Sequence, residues 1–337
     1  MLYEISSINS SFSTIILYFI VETKRIHYNK AQMTLIGSNI YIDCYKGNTK
    51  KQYGSIFLLT HWHKDHLKGL SKTFNGTIYC SRITSHLLHH AYPNIKYIQI
   101  ETNEFIPGIN ESIMVLDANH LPGSIMFFFP VRGILYTGDY RLSSEMNYCF
   151  EKIKQIKQIK QIYIDGTFHH PSIKFLSIEQ SIALMRAFMN TIEGPIAIGI
   201  YHAGTCALLN QMNLKCSIHS SISEQLRETL FFMYPDLIVK HGKERVILIN
   251  PSKADTDVNL NKHTVIVPSS LWYCCKGNME FVNKVVKDKR GHWRINFTCH
   301  SDYYDNLRII STFNVKNVDL INTSRFDLDC VTNKHKK

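Results

Sequence analysis

Ser55-Ile56-Phe57-Leu58-Leu59-Thr60-His61-Trp62-His63-Lys64-Asp65-His66 is the stretch on which the reading of this chain turns. Its first six residues read as an apolar β-strand. Four metal-ligating residue types follow at once. His61 and His63 alternate around Trp62, so in extended backbone both imidazoles leave on the same side. Asp65 and His66 come at the start of a helix expected over Leu67 to Lys72 and turn toward a neighbouring point. One short motif thus offers two ligand pairs to two adjacent metal ions. Neutral imidazole suits zinc, and carboxylate suits zinc or a harder second ion. With 17 His in 337 residues, composition alone yields this pattern on the order of once in several hundred such chains.

A two-metal site needs further ligands from other strands. Asp117-Ala118-Asn119-His120-Leu121-Pro122-Gly123-Ser124 puts His120 in a loop between two apolar strands. Tyr136-Thr137-Gly138-Asp139 puts Asp139 at another strand end, where its two oxygens could bridge both ions. Asp43 closes the strand Ile40 to Asp43 and is expected to hold a ligating His by its other ring nitrogen. His86, His89 and His90 lie on an expected helix without acidic partners, and are read as structural, as are His169 and His170.

Working outward, the first half reads as short strands: Ile40 to Asp43, Ser55 to Thr60, Ile78 to Cys80, Ile98 to Glu101, Ile113 to Leu116, Ile125 to Val131 and Ile134 to Thr137. A helix is expected over Ile83 to His90. From about residue 160 the rhythm becomes alternating strand and helix, implying a more parallel α/β layer. The strands there are Ile162 to Asp165, Pro195 to Tyr201, Val246 to Ile249 and Val265 to Val267. The helices are Ile178 to Ile192, Cys206 to Leu214 and Ile222 to Met233. The end reads as strand, helix, strand: Trp293 to Thr298, Asp302 to Phe313, Val318 to Ile321. The repeat Lys154-Gln155-Ile156-Lys157-Gln158-Ile159-Lys160-Gln161 reads as a surface linker between the halves. Lys284 to Arg294 and Lys334 to Lys337 read as solvated faces.

Composition is globular, with 45% hydrophobic and 19% charged residues. Formal charge is +11 and the pI about 9.1, which suits polyanions. Nine cysteines without a C-x-x-C pair point to reduced thiols and away from a cysteine zinc finger. No stretch reaches the roughly 20 apolar residues of a membrane span, and Ile15 to Val21 lacks the basic flank of a secretory signal. No membrane partner is expected.

The run His-x-His-x-Asp-His, with Asn119-His120-Leu121-Pro122-Gly123-Ser124 and Leu135-Tyr136-Thr137-Gly138-Asp139-Tyr140-Arg141, resembles the metallo-β-lactamase/β-CASP nucleases. More narrowly it resembles their DNA cross-link repair branch. Lys64 inside the motif, and Pro268-Ser269-Ser270-Leu271-Trp272-Tyr273, are similar to the Artemis-like members. The similarity runs from about Gln32 to Ser324.

The resemblance implies an α/β fold, a metallo-β-lactamase αββα sandwich with an inserted β-CASP α/β domain. Residues 1–31 would be an extension of unknown role and 32–155 the first part of the sandwich. Residues 156–296 would be the β-CASP domain and 297–337 the return segment. His61, His63, His120 and Asp139 would hold one Zn2+. Asp65, His66 and Asp139 would form a second site, poorer in ligands and open to partial occupancy or to Mg2+ or Mn2+. Asp165 matches the first CASP motif and His300 the second; with Asp65 they form the implied catalytic set, His300 acting as proton donor. Ser301 and Lys64 are expected at the phosphate, Ser301 beside a helix N-terminus.

The implied activity is 5′-3′ exonuclease or structure-specific endonuclease action in interstrand cross-link or double-strand break repair. The implied setting is a nuclear monomer acting on single-stranded, overhanging or hairpin DNA ends, with repair proteins as further partners. The third CASP motif carries His in RNA-processing relatives and Val in DNA-repair relatives; Asn322 falls there and is neither. The alternatives are an RNA 3′-end-processing endonuclease and a catalytically degenerate nucleic-acid scaffold. The extra structural zinc of Artemis-like members is expected to be absent, since only His219 sits in a matching place. No long regulatory tail is expected beyond Ser324.

Overall fold

The computed structural model describes residues 25–28, 34–37, 39–45, 55–201, 203–239, 244–257, 260–275 and 278–323. Lys334 to Lys337 and nearly all of the expected extension lie outside them. Two compact units divide the chain. Among the described residues, Pro171–Cys299 forms one, and those up to His170 and from His300 onward form the other.

The second of these units carries the motifs, and its central strands, such as Ile56–Leu58 and Ile125–Phe129, are buried on both faces. One six-stranded sheet runs in the order Arg25–Tyr28, Asn317–Ile321, Gln161–Asp165, Ile134–Tyr136, Ile125–Phe129, Met114–Asp117. Its first four strands are parallel and the last three are antiparallel neighbours. A five-stranded sheet runs Thr34–Ile36, Ile40–Ile42, Ile56–Leu58, Thr77–Cys80, Lys96–Gln99, parallel from its second strand onward.

The period-two alternation of each strand sorts its side chains into layers. Ile42, Leu58, Val115, Phe127 and Phe129 meet in one core shared by the two sheets. From the opposite face, Leu116, Met126 and Phe128 pack with Met146 and Phe150 of the helix Ser144–Ile156 and Ile310 of the helix Tyr303–Thr312. Phe57 and Leu59 pack outward on Leu88 of the helix Arg82–Ala91. Helix, sheet, sheet, helix is the expected αββα sandwich.

Pro171–Cys299 is an α/β unit in its own right. Its sheet runs Cys216–Ile218, Val246–Ile249, Ile196–Gly199, Thr264–Pro268, Trp293–Ile295, Val286–Lys287, parallel except for the last pair. Helices Ile178–Met189, Gly204–Gln211 and Glu224–Met233 alternate with those strands. Its basic segment is not simply a solvated face. Arg294 and His292 are buried, Arg294 donating to Asp288 at 2.8 Å and His292 Nε2 lying 2.8 Å from Asp255. No helix among the described residues is long and apolar enough to cross a membrane.

Two sequence expectations fail for physical reasons. No helix forms over Leu67 to Lys72: residues 64–69 make successive turns with i→i+3 bonds such as Leu70 N–H to Leu67 O, and these end at Gly69 with φ 88°. The Lys-Gln-Ile repeat is no linker. Its first part ends the helix Ser144–Ile156, and Gln161 opens a strand inserted between Ile134–Tyr136 and Asn317–Ile321. Ile153 and Ile159 are buried while Ile156 is exposed, so a three-residue repeat carries a core anchor at either end. The chain therefore leaves this unit at His170, not at residue 156, and re-enters at His300. Ile159→Ala is expected to cost about 2–5 kcal/mol and Ile156→Ala no more than about 0.5 kcal/mol, measured by denaturant unfolding of the two variants.

Candidate metal centre

The side chains gathered here all project from strand ends or the loops just beyond them. Asp43 follows the strand Ile40–Ile42 with φ at 52°, which aims its carboxylate back across the neighbouring strand. It accepts the Thr60 N–H at 2.9 Å and the Thr60 hydroxyl at 2.8 Å, and lies 2.8 Å from His66 Nδ1. With Nδ1 donating to Asp43, His66 directs Nε2 toward Asp139 Oδ1, 3.3 Å away, and Asp65 Oδ2, 3.7 Å away. Thr60 Oγ1 also lies 3.0 Å from His61 Nδ1, which turns His61 Nε2 inward.

Extended backbone through Trp62 sends His61 and His63 to one side, their rings 4.7 Å apart, while Trp62 packs against the outer core. His120 stands in a loop where Asn119 takes φ 51° and the Ser124 hydroxyl accepts the N–H groups of both His120 and Leu121. Asp139 follows Gly138 at φ 56°, where a Cβ would come within 2.7 Å of the Thr60 side chain. Glycine lets the Asp139 segment close on the motif strand.

The result is a buried knot of imidazoles around one carboxylate. Ligand atoms of His61, His63, His120 and Asp139 lie within 4.8 Å of one another, as do those of Asp65, His66 and Asp139. His120 Nε2 and His63 Nδ1 are 3.2 Å apart; Asp139 Oδ2 is 3.7 Å from His61 Nε2 and 3.8 Å from His120 Nε2. Ligands bonded tetrahedrally to one ion at about 2.0–2.1 Å stand roughly 3.3–3.4 Å apart, close to these spacings. Among the described residues, His61 Nε2 and Asp139 Oδ2 are buried polar atoms with no hydrogen-bond partner. Two such atoms aimed at one point cost free energy unless a cation receives them. The residues therefore fit a divalent metal ion.

Electrostatics point the same way. Burial lowers the His66 pKa, yet the carboxylates of Asp139 and Asp43 outweigh it and hold it at about 10. Burial, then the neighbouring imidazoles of His66, His63 and His120, push His61 well below its ordinary value. The carboxylates of Asp139 and Asp43 thus favour positive charge at this point.

Asp165 ends the strand Gln161–Asp165, and His300 Nδ1 lies 2.8 Å from its Oδ2. The same nitrogen is 3.9 Å from Asp139 Oδ2, so the pair borders the metal-type cluster. Burial lowers the His300 pKa, but Asp165 and Asp139 more than compensate and it rises. Burial and Asp139 raise that of Asp165.

Supporting residues that the motifs alone did not flag complete the frame. Arg141 donates to His300 O at 3.1 Å and to Asp305 at 2.9 Å. Asn306 donates to Asp165 O at 2.8 Å and stands 3.0 Å from His169 Nδ1; burial takes the His169 pKa to about 4. The Tyr140 hydroxyl donates to Asn306 at 2.5 Å. Tyr140 and Arg141 follow Asp139 directly, so their adjacency was the available signal.

Ser301 does not suit the phosphate contact expected of it. It is fully buried, its N–H donates to Tyr140 O and its hydroxyl accepts the Leu142 N–H. The helix N-terminus beside it is capped by Asp302, which accepts the N–H groups of Tyr304 and Asp305. Ser301 is a strut, and an anion would meet a carboxylate there. Lys64 is exposed. His86 and His90 contact each other at 5.6 Å and join no metal-type cluster among the described residues. His219 pairs with Asp257 at 3.3 Å and with Ser221 at 3.0 Å. No disulfide joins the seven cysteines whose side chains are described.

No protein-family model matches the chain. The 5′ exonuclease Apollo of Rattus norvegicus is 35% identical over 189 residues, 51% of this chain and 34% of that protein. DNA cross-link repair 1A protein of Homo sapiens is 33% identical over 170 residues, 45% of this chain and 16% of that protein. Protein artemis of Gallus gallus is 24% identical over 322 residues, 78% of this chain and 43% of that protein. Among these, the match to artemis is the longer and the match to Apollo the more identical. A crystal structure of a protein of unknown function from Enterococcus faecalis V583 superposes with TM-score 0.55 at 14% identity, covering 80% of this chain and 75% of that one, a likeness of fold.

Sandwich, insertion and cluster together give the chain a metallo-β-lactamase/β-CASP type of fold. Over about half of its length the chain is similar to proteins named for 5′ exonuclease activity and DNA cross-link repair. It spans about a third of the length of the Apollo proteins it matches. Asp43→Asn, which tolerates the same backbone, is expected to weaken metal binding by about 10–100-fold, read by calorimetric titration of the metal-free protein.

Proposed function

We propose that the chain is a zinc-dependent deoxyribonuclease that hydrolyses phosphodiester bonds at DNA ends during cross-link or double-strand break repair. The observation that carries this is the 2.8 Å His300–Asp165 pair set against the His61/His63/His120/Asp139 cluster. A small-molecule hydrolase needs the cluster alone; a leaving alkoxide also needs a proton donor. The names of the related proteins, a 5′ exonuclease and DNA cross-link repair proteins, support DNA as the substrate. So does a formal charge of +11, through release of counterions from phosphates.

His61, His63, His120 and Asp139 hold a zinc ion in this reading; three imidazoles and a carboxylate form a zinc donor set. Bound there, zinc lowers the pKa of water and polarises phosphate oxygens. Asp65 orients the attacking water. Asp165 fixes the His300 ring through Nδ1, and His300 protonates the leaving 3′ oxygen. Asn306 and Arg141 keep that pair in register by holding the Asp165 and His300 carbonyls. Lys64, exposed within the motif, meets the phosphate. The protein acts in the nucleus as a monomer, with Pro171–Cys299 as its β-CASP domain.

The test is cleavage of 5′-phosphorylated single strands, overhangs, hairpins and matched RNAs by the wild type, His63→Ala and His300→Ala. DNA cleavage is expected, with His63→Ala inactive and His300→Ala slowed by about 10²–10⁴-fold. Preference for RNA would replace DNA with an RNA 3′-end-processing role. Cleavage indifferent to His63 would remove the metal assignment, and no cleavage of any substrate would favour a degenerate scaffold.

A further inference from the structure

Asn322 follows the strand Asn317–Ile321, is buried, and takes φ 61°. Its Nδ2 lies 2.5 Å from Asp139 Oδ1 and 3.4 Å from His66 Nε2. The shorter contact is an N–H donated to a carboxylate. Turned the other way, the amide would press its oxygen against another acceptor. One neutral NH2 group thus rests against two of the three ligand atoms of Asp65, His66 and Asp139.

Those two ligand atoms are 3.3 Å apart. A cation bound to both would sit about 2.0–2.2 Å from each, in the space where the amide nitrogen approaches them. The amide and a second ion compete for one place. The Asp139 carboxylate is accordingly divided. Oδ2 faces His61 and His120, whereas Oδ1 receives Asn322.

We propose that the Asn322 amide stands in for a second cation, so that the chain binds one metal ion tightly at His61, His63, His120 and Asp139 and a second only weakly. Asn322 is a positioning residue: its hydrogen bond also locks the Asp139 carboxylate with Oδ2 toward the occupied side. The inference rests on the metal-centre reading above.

Left-handed backbone limits informative substitutions to residues that tolerate it, glycine and aspartate among them. Asn322→Gly removes the amide without backbone strain. Asn322→Asp keeps the shape but replaces the donor with an acceptor. The full chain, stripped with a chelator, is titrated with Zn2+ by calorimetry and weighed by native mass spectrometry, with circular dichroism to confirm folding.

The wild type is expected to take up about one tightly bound ion. In both variants the affinity for a second ion should rise by about tenfold or more, and Asn322→Asp should retain two ions through native mass spectrometry. A wild type that binds two ions equally well overturns the inference, as does Asn322→Gly with second-ion affinity unchanged. Uptake of no ion by the wild type is a different failure, that of the metal centre itself.

Discussion

A carboxylate with almost no exposure, Asp139, is the constraint around which the sandwich is arranged. Its pKa is depressed: burial opposes that, but His66 and His300 prevail, so it stays ionised inside the protein. Unpaired, such a charge is expensive to bury. Four neighbours answer it: His66 at 3.3 Å, the Asn322 amide, and the His61 and His120 imidazoles at distances too long for hydrogen bonds but suited to a shared ion. A cation held there would meet the unpaired Asp139 Oδ2 and would help hold these strand ends together.

The frame around that carboxylate is built from strand termini. Asp43, Thr60, Asp139, Asp165 and Asn322 each lie just past or at the end of a different strand, across both sheets of one unit. Strands buried on both faces cannot slip register without exposing apolar residues. Asp43 joins two adjacent strands of the five-stranded sheet through Thr60, and orients His66 by the same carboxylate. Sheet packing and ligand orientation are thereby one interaction, and a defect in either is felt in the other.

The gathering of His and Asp side chains was legible because these residues cluster in sequence or sit at recognisable strand ends. His61, His63, Asp65 and His66 required only alternation and a turn; the structure brings all six named ligands together. The Asp43 contact followed from the need to orient an imidazole. What escaped was decided by tertiary packing. Periodicity could not distinguish a surface linker from the Ile153 to Ile159 stretch, because two buried isoleucines in a polar run carry too weak a pattern. Ser301 looked like an anion contact from its place before a helix. Only the structure shows Asp302 already capping that helix and Ser301 turned inward. Asn322 had an expected position but no expected partner, since its link to Asp139 joins residues 183 apart.

The same reasoning explains why Asp165 and His300 matter to architecture as well as chemistry. The chain leaves the sandwich unit at His170 and returns at His300. Asp165 lies just before the departure and His300 at the return, and their 2.8 Å contact spans 135 residues. Closing so long an excursion costs entropy that grows only slowly with its length. The closure is held by the Asp165–His300 contact, by Asn306 on the Asp165 carbonyl, by Arg141 on the His300 carbonyl, and by the Ser301 N–H on Tyr140. The two ends of the insertion are therefore fixed from within the sandwich unit itself. His300 stays against Asp165 and the His/Asp cluster because the closure that holds it is the closure that holds the sandwich.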